Sequence, residues 1–284
     1  MKLVFAALLL IGCLPLGMAQ GTYTQIDVPG AITTEVYAID AAGDLIGTYF
    51  DNNGEHGFLL SAGEYTTINY PGAAATALFG LNNLGEFVGF ASDPQHGFLY
   101  NSQTQTFTTI GYPSAINTYP TTINDSGLIG GWFEGEGGSF GFVLAGSTYR
   151  FVAPKGASNS TVSGISSSGL VVGYVYFHTG LDQSFFFGHG DFRRLTVPNA
   201  PDAVVVGISP NGGTLVGTYQ PSPGVYAGFV YQQGTLQSLQ FAGSTETIAY
   251  TVNNSGEVAG TYYDASNTAH GFTWIPSEAN GKKK

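Results

Sequence analysis

A unit of roughly 42 residues recurs six times along this chain, and that periodicity restricts the fold more than any other feature. Ile39 to Gly47 (IDAAGDLIG), Leu81 to Gly89 (LNNLGEFVG), Ile123 to Gly130 (INDSGLIG), Ile165 to Gly173 (ISSSGLVVG), Ile208 to Gly217 (ISPNGGTLVG) and Val252 to Gly260 (VNNSGEVAG) share one pattern. The closing glycines are spaced by 42, 41, 43, 44 and 43 residues. A unit this short cannot bury its own apolar side, so its copies must cover one another.

Within each copy an apolar residue, a run of Asn, Asp or Ser, a Gly and two further apolar residues describe two strands joined by a tight turn. The Gly supplies the positive φ that such a turn requires. A third strand follows, opening at His56, His96, Phe140, Ser184, Ala227 and His270. A fourth opens at Tyr65, with counterparts at Tyr23, Phe107, Tyr149, Phe192 and Leu236. Pro29, Pro71, Pro113 and Pro198 stand at the end of that strand, where a missing N–H costs no ladder bond. Four strands per unit predict an all-β, six-bladed β-propeller with four antiparallel strands per blade. The chain enters on a fourth-type strand and leaves on a third-type one, so closure of the ring is expected to be non-covalent, by the N-terminal strand.

The 42 Gly, 17 Tyr and 20 Phe suit short aromatic strands and Gly turns, and 10% charged residues leave little for solvated helix surfaces. Acids outnumber bases nineteen to eight, and Lys2 and Lys282 to Lys284 lie at the extremes, leaving Arg150, Lys155, Arg193 and Arg194 for the body. A surface of that sign repels polyphosphate, which excludes a nucleic-acid partner. Residues 1–19 read as a secretory signal: Lys2, an apolar run from Leu3 to Leu14, then Gly17-Met18-Ala19 before the cut. The expected domain therefore spans 20–276, with a disordered basic tail over 277–284. Leu10-Ile11-Gly12-Cys13 offers an alternative, a lipoprotein anchored through Cys13. No later segment has the ~20 apolar residues of a transmembrane helix.

The repeats resemble the HAF family of bacterial extracellular repeats, in which a His-Ala-Phe tripeptide follows a G-[IL]-N-x-x-G-x-[IV]-V-G stretch. The resemblance extends over all six copies. It departs from the family name, since three copies carry His-Gly-Phe and three have lost the His. The resemblance implies export and a propeller-like repeat, and it attaches no reaction.

The segments between strands two and three, rich in aromatics and acids, are the candidate binding surface. They supply Asp51, Asn53, Glu55, Asp93, Trp132, Glu134, Tyr263 and Asp264 as candidate ligand-binding residues. Rings beside hydrogen-bonding acids suit a sugar, and Asp51 with Asn53 and Glu55 could offer oxygens to Ca²⁺, though no full calcium loop is present. The alternative is that the rings pack between blades and the acids cap turns. His56, His96 and His270 share one repeat position, which places them too far apart around a ring to share a zinc ion. Asp40, Asn82, Asn124, Ser166, Ser209 and Asn253 are read as turn caps. Arg150, Arg193 and Arg194 are read as charges that keep an outer strand from pairing. Gly137 to Gly141 matches G-x-S-x-G but lacks the strand–turn–helix setting of a nucleophile elbow. No repeat-breaking carboxylate pair can be aimed at one centre from sequence.

The reading is an exported, monomeric, non-enzymatic module, extracellular or periplasmic, that binds an extracellular ligand such as a glycan or a surface protein, or acts as a structural component. The rival is a polysaccharide hydrolase or lyase drawing carboxylates from Asp51, Asp93, Glu134 or Asp264.

Overall fold

The Gly after each polar run does take a positive φ, from +72° at Gly85 to +87° at Gly43, with Gly127, Gly169, Gly212 and Gly256 between. Each of these turns joins two antiparallel strands. The computed structural model describes residues 20–92, 95–178 and 183–277, and among them there are strands and no helix. The expected signal segment, Asp93 and the tail beyond Ser277 lie outside the described residues.

The first strands of the chain are β1 (Gly21–Ile26), β2 (Thr33–Ile39), β3 (Leu45–Asp51), β4 (Gly54–Ser61) and β5 (Glu64–Ile68). Strands β2 to β5 form a four-stranded antiparallel sheet in chain order. The same arrangement recurs in β6 (Ala75–Leu81), β7 (Glu86–Ser92), β8 (His96–Asn101) and β9 (Thr106–Ile110). It recurs again in β10 (Asn117–Ile123), β11 (Ile129–Gly135), β12 (Gly138–Ala145) and β13 (Thr148–Val152), and in β14 (Ala157–Ile165), β15 (Val171–Phe177), β16 (Gln183–Gly188) and β17 (Asp191–Leu195). The remaining strands are β18 (Val204–Ile208), β19 (Thr214–Ser222), β20 (Val225–Gln232), β21 (Thr235–Leu239), β22 (Glu246–Val252), β23 (Val258–Tyr263) and β24 (Ala269–Pro276). Within them β18 to β21 pair antiparallel in order, and so do β22, β23, β24 and the N-terminal β1. One parallel pair, Tyr226 with Glu246, merges these two groups into an eight-stranded mixed sheet. Strand β1 runs along β24 from Gly21 opposite Pro276 to Ile26 opposite Gly271.

The closing glycine of the repeat has a steric cause, distinct from the turn glycine. A Cβ on Gly47, Gly89, Gly173, Gly217 or Gly260 would sit 1.9–2.1 Å from a carbonyl oxygen of the preceding strand. Each of these glycines also pairs with a third-strand Phe (Phe58, Phe98, Phe185, Phe229, Phe272) whose ring folds over it, about 3 Å from where a Cβ would stand. In the third repeat the residue in this position is Gly131, opposite Phe142, and Gly130 fills the preceding apolar slot. The short spacing in the sequence alignment is thereby corrected: no residue is missing from that copy.

The segments read as loops between strands two and three are largely strand. Tyr49 to Asp51, Trp132 to Glu134 and Tyr262 with Tyr263 lie inside β3, β11 and β23, and the true turn in the first repeat is only Asn52-Asn53. Alternating aromatic residues extend the ladder to the end of the sheet, so their side chains are held by strand backbone. Pro71 and Pro113, conversely, lie just beyond β5 and β9, in the connection to the next sheet.

Apolar clusters bridge successive sheets. Ala38 and Ile46 of the first repeat pack with Leu78, Phe87 and Phe98 of the second, and Ala259 packs against Val36 and Phe58. Phe58, Phe98, Phe142, Phe229 and Phe272 are fully buried, each worth about 1.5–3 kcal/mol of transfer free energy. Arg193 and Arg194 stand on the outer strand β17. Arg150 stands likewise on the outer strand β13, and its guanidinium also lies 4.7 Å over the Phe187 ring of the next sheet.

Candidate functional site

The first strands β2, β6, β10, β14, β18 and β22 all line one axial cavity of about 80 Å³. At one end are the turns that open each repeat. Asn82 Oδ1 accepts the Leu84 and Glu86 N–H groups at 3.0 Å, the capping role expected from sequence. The same residues also link repeats: Asn82 Nδ2 donates to the Asn124 carbonyl, Asn124 Nδ2 to that of Ser166, and Asn253 Nδ2 to that of Asp40. The polar ring at this end is thus occupied by its own backbone.

The other end is formed where β2, β10 and β22 begin and β7, β11 and β23 finish. Glu35 of β2 is held from two sides, by the Tyr37 hydroxyl at 2.5 Å and by the Tyr263 hydroxyl of β23 at 3.2 Å. Tyr37 packs against Phe79 at 5.2 Å and against Tyr250 at 4.9 Å, so three aromatic rings from three repeats line one wall. Thr121 and Ser163 occupy the facing wall. At the same end of the sheets Phe90, Tyr119 and Trp132 form a stack, with centroids 4.3 and 3.9 Å apart and planes inclined by 26° and 14°. Glu134 accepts the Asn117 side-chain N–H at 2.6 Å next to that stack.

The electrostatics are those of crowded, partly dry acids. Desolvation raises the Glu55 carboxyl above its usual range, and the neighbouring Glu35 charge adds to the shift. Desolvation likewise raises Glu246. Burial and the Glu35 charge push the Tyr37 and Tyr250 hydroxyls far up and Tyr263 to about 12. Among the described residues every ion pair of a carboxylate is with a histidine, His56 to Asp51 or His270 to Asp27 and Asp264, and none is with Lys or Arg.

Of the residues expected from sequence, the structure brings Glu55, Trp132, Glu134 and Tyr263 to this mouth. Asp51 and Asn53 are spent on their own turn: Asp51 Oδ1 accepts the Asn53 N–H at 2.6 Å, and His56 sits 3.3 Å from it. The Asp51 oxygens expected to suit Ca²⁺ therefore serve that turn, while Glu55 is subject to the charge of Glu35. Asp264 caps the next turn along through the Ser266 and Thr268 N–H groups. Asp93 lies outside the described residues. His96 packs edge-on to Tyr70 at 4.5 Å, and the Ser139 N–H of β12 donates to Asn159 Oδ1 of β14. Sequence reading missed Glu35, Tyr37, Tyr250 and Glu246. The available signal was their departure from the repeat, since Ala77 and Phe79 occupy the Glu35 and Tyr37 positions in the second copy.

The capping of Asp264 has a pH consequence. Its carboxyl is held below the usual range, first by the Thr268 N–H and then by the Ser266 N–H and His270. A folded value below the unfolded one gives stability that is complete above about pH 4 and is lost as pH falls through the folded value. A carbon-detected NMR titration should place the Asp264 midpoint below the ordinary ~3.9. A midpoint at or above that value refutes the capping account.

No family model matches the chain, and no curated protein matches it. Solved structures do. TolB from Acinetobacter baumannii superposes with a TM-score of 0.58 at 12% identity, over 88% of this chain and 65% of that one, so the chain spans just under two thirds of its length. A gluconolactonase from Xanthomonas campestris gives 0.58 at 12% identity over 94% and 93% of the two chains. The Aleuria aurantia lectin in complex with Fucα1-6GlcNAc gives 0.55 at 13% over 88% and 93%. At these identities the likeness is one of fold. The chain has a β-propeller-like, all-β fold, shared by binding proteins and by enzymes.

Proposed function

We propose that the protein is an exported six-bladed propeller that binds an extracellular carbohydrate at the mouth around Glu35. Closure of the ring is supported by β1 on β24 and by the Asn253 to Asp40 bond, which joins the sixth repeat to the first. Export rests on the N-terminal segment and on the resemblance to the HAF repeats, with a mature chain from Gln20 or an anchored one from Cys13.

The observation that carries the binding reading is the Phe90–Tyr119–Trp132 stack standing beside the Glu134 carboxylate and the Asn117 amide. A sugar offers an apolar ring face and a hydroxyl edge, and such a site answers both. The lectin shares this fold. A glycan array with the mature protein should give a discrete set of hits, and Trp132→Ala should weaken the best of them about tenfold, the scale of one aromatic anchor. Absence of any hit, or hits indifferent to Trp132→Ala, would overturn the reading.

A second reading is favoured by one observation, the Glu55 carboxyl raised above its usual range by desolvation and by the charge of Glu35, which puts two carboxylates at one mouth as a glycoside-cleaving site requires. Release of reducing ends from the array hits, abolished by Glu55→Gln, would make the protein a glycoside-cleaving enzyme.

A further inference from the structure

Arg150 and Arg193 hold the same place in consecutive repeats, opposite Val143 and Phe186, on the outer strands β13 and β17. Their surroundings differ. The Arg150 guanidinium lies 4.7 Å over the Phe187 ring of the next sheet, and its Nη2 is 3.1 Å from where a Cβ on Gly190 would stand. Arg193 is exposed, and among the described residues it has no ion pair, ring contact or side-chain hydrogen bond. Protection of a sheet edge does not account for it, because the same place holds Thr24, Thr66, Thr108 and Gln237 on the other outer strands.

Arg193 borders a concavity of about 280 Å³ on the side of its sheet that faces the fifth repeat. Leu170 and Phe186 form the floor, and Gly188, His189 and Asp191 complete the lining. Three of these residues depart from the repeat. Phe186 puts a ring where the other copies have Leu59, Leu99, Val143, Val230 and Thr273. Gly188 stands where they have Ser61, Asn101, Ala145, Gln232 and Ile275, and a Cβ there would already reach Leu170 at 3.4 Å, so the glycine keeps the floor open. Asp191 is two residues from Arg193 on the same face of β17, about 7 Å along the strand. No other copy sets an acid and a base at these two places: the first has Glu64 with Thr66, and the third has Thr148 with Arg150. The fold is built in the other copies without this combination, so the fourth carries it for a separate duty.

We infer that this concavity is a second binding site, distinct from the axial mouth, for an α-amino acid with an apolar side chain. The ligand carboxylate meets the planar fork of Arg193, and its ammonium meets Asp191. Its side chain covers Leu170 and Phe186, and an aromatic one adds a ring contact with Phe186. Opposite charges side by side select a zwitterion over a plain acid or a plain amine, and the apolar floor selects against glycine. The volume lies just below that of drug-sized sites, which suits one residue better than a chain.

The test is an NMR titration of the mature protein with phenylalanine, phenylpropionate, phenethylamine and glycine, read at the Gly188 and Gly190 amides, which report on this rim. Phenylalanine should shift both amides with a Kd of about 1 mM or tighter, and each of the other three should bind at least tenfold more weakly. Arg193→Gln should weaken phenylalanine at least tenfold, whereas Arg150→Gln, which removes a guanidinium already seated on a ring, should leave it within twofold. Gly188→Gln places the fifth repeat's residue on the floor and should abolish the shifts with the fold intact. No shift at about 10 mM phenylalanine, tenfold above that Kd, overturns the assignment. So does phenylpropionate or phenethylamine within twofold of phenylalanine, or an Arg193→Gln titration that matches the native one. Each of these outcomes leaves the carbohydrate reading of the mouth intact.

Discussion

Removal of residues 20–26 is expected to leave no stable folded monomer. Those residues supply β1, which covers the edge of β24 along six registered positions. Tyr23 packs on Phe241 and Phe272, and its hydroxyl accepts the Gln240 N–H at 3.1 Å, so the strand also ties the preceding connection to the sheet. Ile26 is buried against Val36 and Phe58 of the first repeat. At about 1 kcal/mol net per backbone bond and 1.5–3 kcal/mol per buried apolar side chain, the loss exceeds about 5 kcal/mol. That is on the scale of the total stability of a domain. An uncovered β24 also offers its edge to another chain. Urea unfolding followed by size-exclusion chromatography should show loss of the cooperative transition and association. The milder Tyr23→Ala should cost about 2–4 kcal/mol with the strand still in place. A monomeric truncated chain with an unchanged urea midpoint would contradict this account.

The second large effect is expected from Gly173→Ala. A Cβ there would lie 2.0 Å from the Thr161 carbonyl oxygen and 2.7 Å from the Phe185 ring. Neither neighbour can yield cheaply, because one is ladder backbone and the other is buried core. Separating β14 from β15 or displacing Phe185 should cost about 3 kcal/mol or more, near the upper end for overpacking, and lower the melting temperature by roughly 6–12 °C. Gly72→Ala is the internal comparison: its φ is +80° and nothing lies within 4 Å of the added atom. It should cost only the ~1–2 kcal/mol of a left-handed residue with a side chain. Equal losses at the two positions would contradict the steric account, because Gly173 has no left-handed φ to lose.

These two glycines show which part of the fold was legible. Turn glycines, capping Asn, Asp and Ser, and the alternating strands are local requirements of backbone, repeated six times, and a single copy suffices to state them. The repeat-closing glycine was visible as a pattern, but its cause was not, because the atoms it avoids belong to a neighbouring strand and to a Phe of the strand after it. The shift from Gly130 to Gly131 follows from the same gap: an alignment weighs identity, whereas the ladder selects the position under the Phe142 ring.

The site was legible only in part, for a related reason. Trp132, Glu134, Glu55 and Tyr263 were found because they sit where strands two and three meet. Asp51 and Asp264, in the same segments, were indistinguishable from them until the turns claimed their oxygens. Glu35 and Tyr37 lie on a first strand, in positions that read as ordinary core. They meet Tyr250 and Tyr263 only because the first and sixth repeats are neighbours in space, more than two hundred residues apart in the chain.

By itself the sequence determined the repeat, the strands, the turns and the acidic sign of the surface, all set by short-range backbone needs and by composition. The tertiary structure alone decided which acids cap turns and which meet side chains of other strands at the axial mouth, because that depends on strand ends from separate repeats converging on one axis.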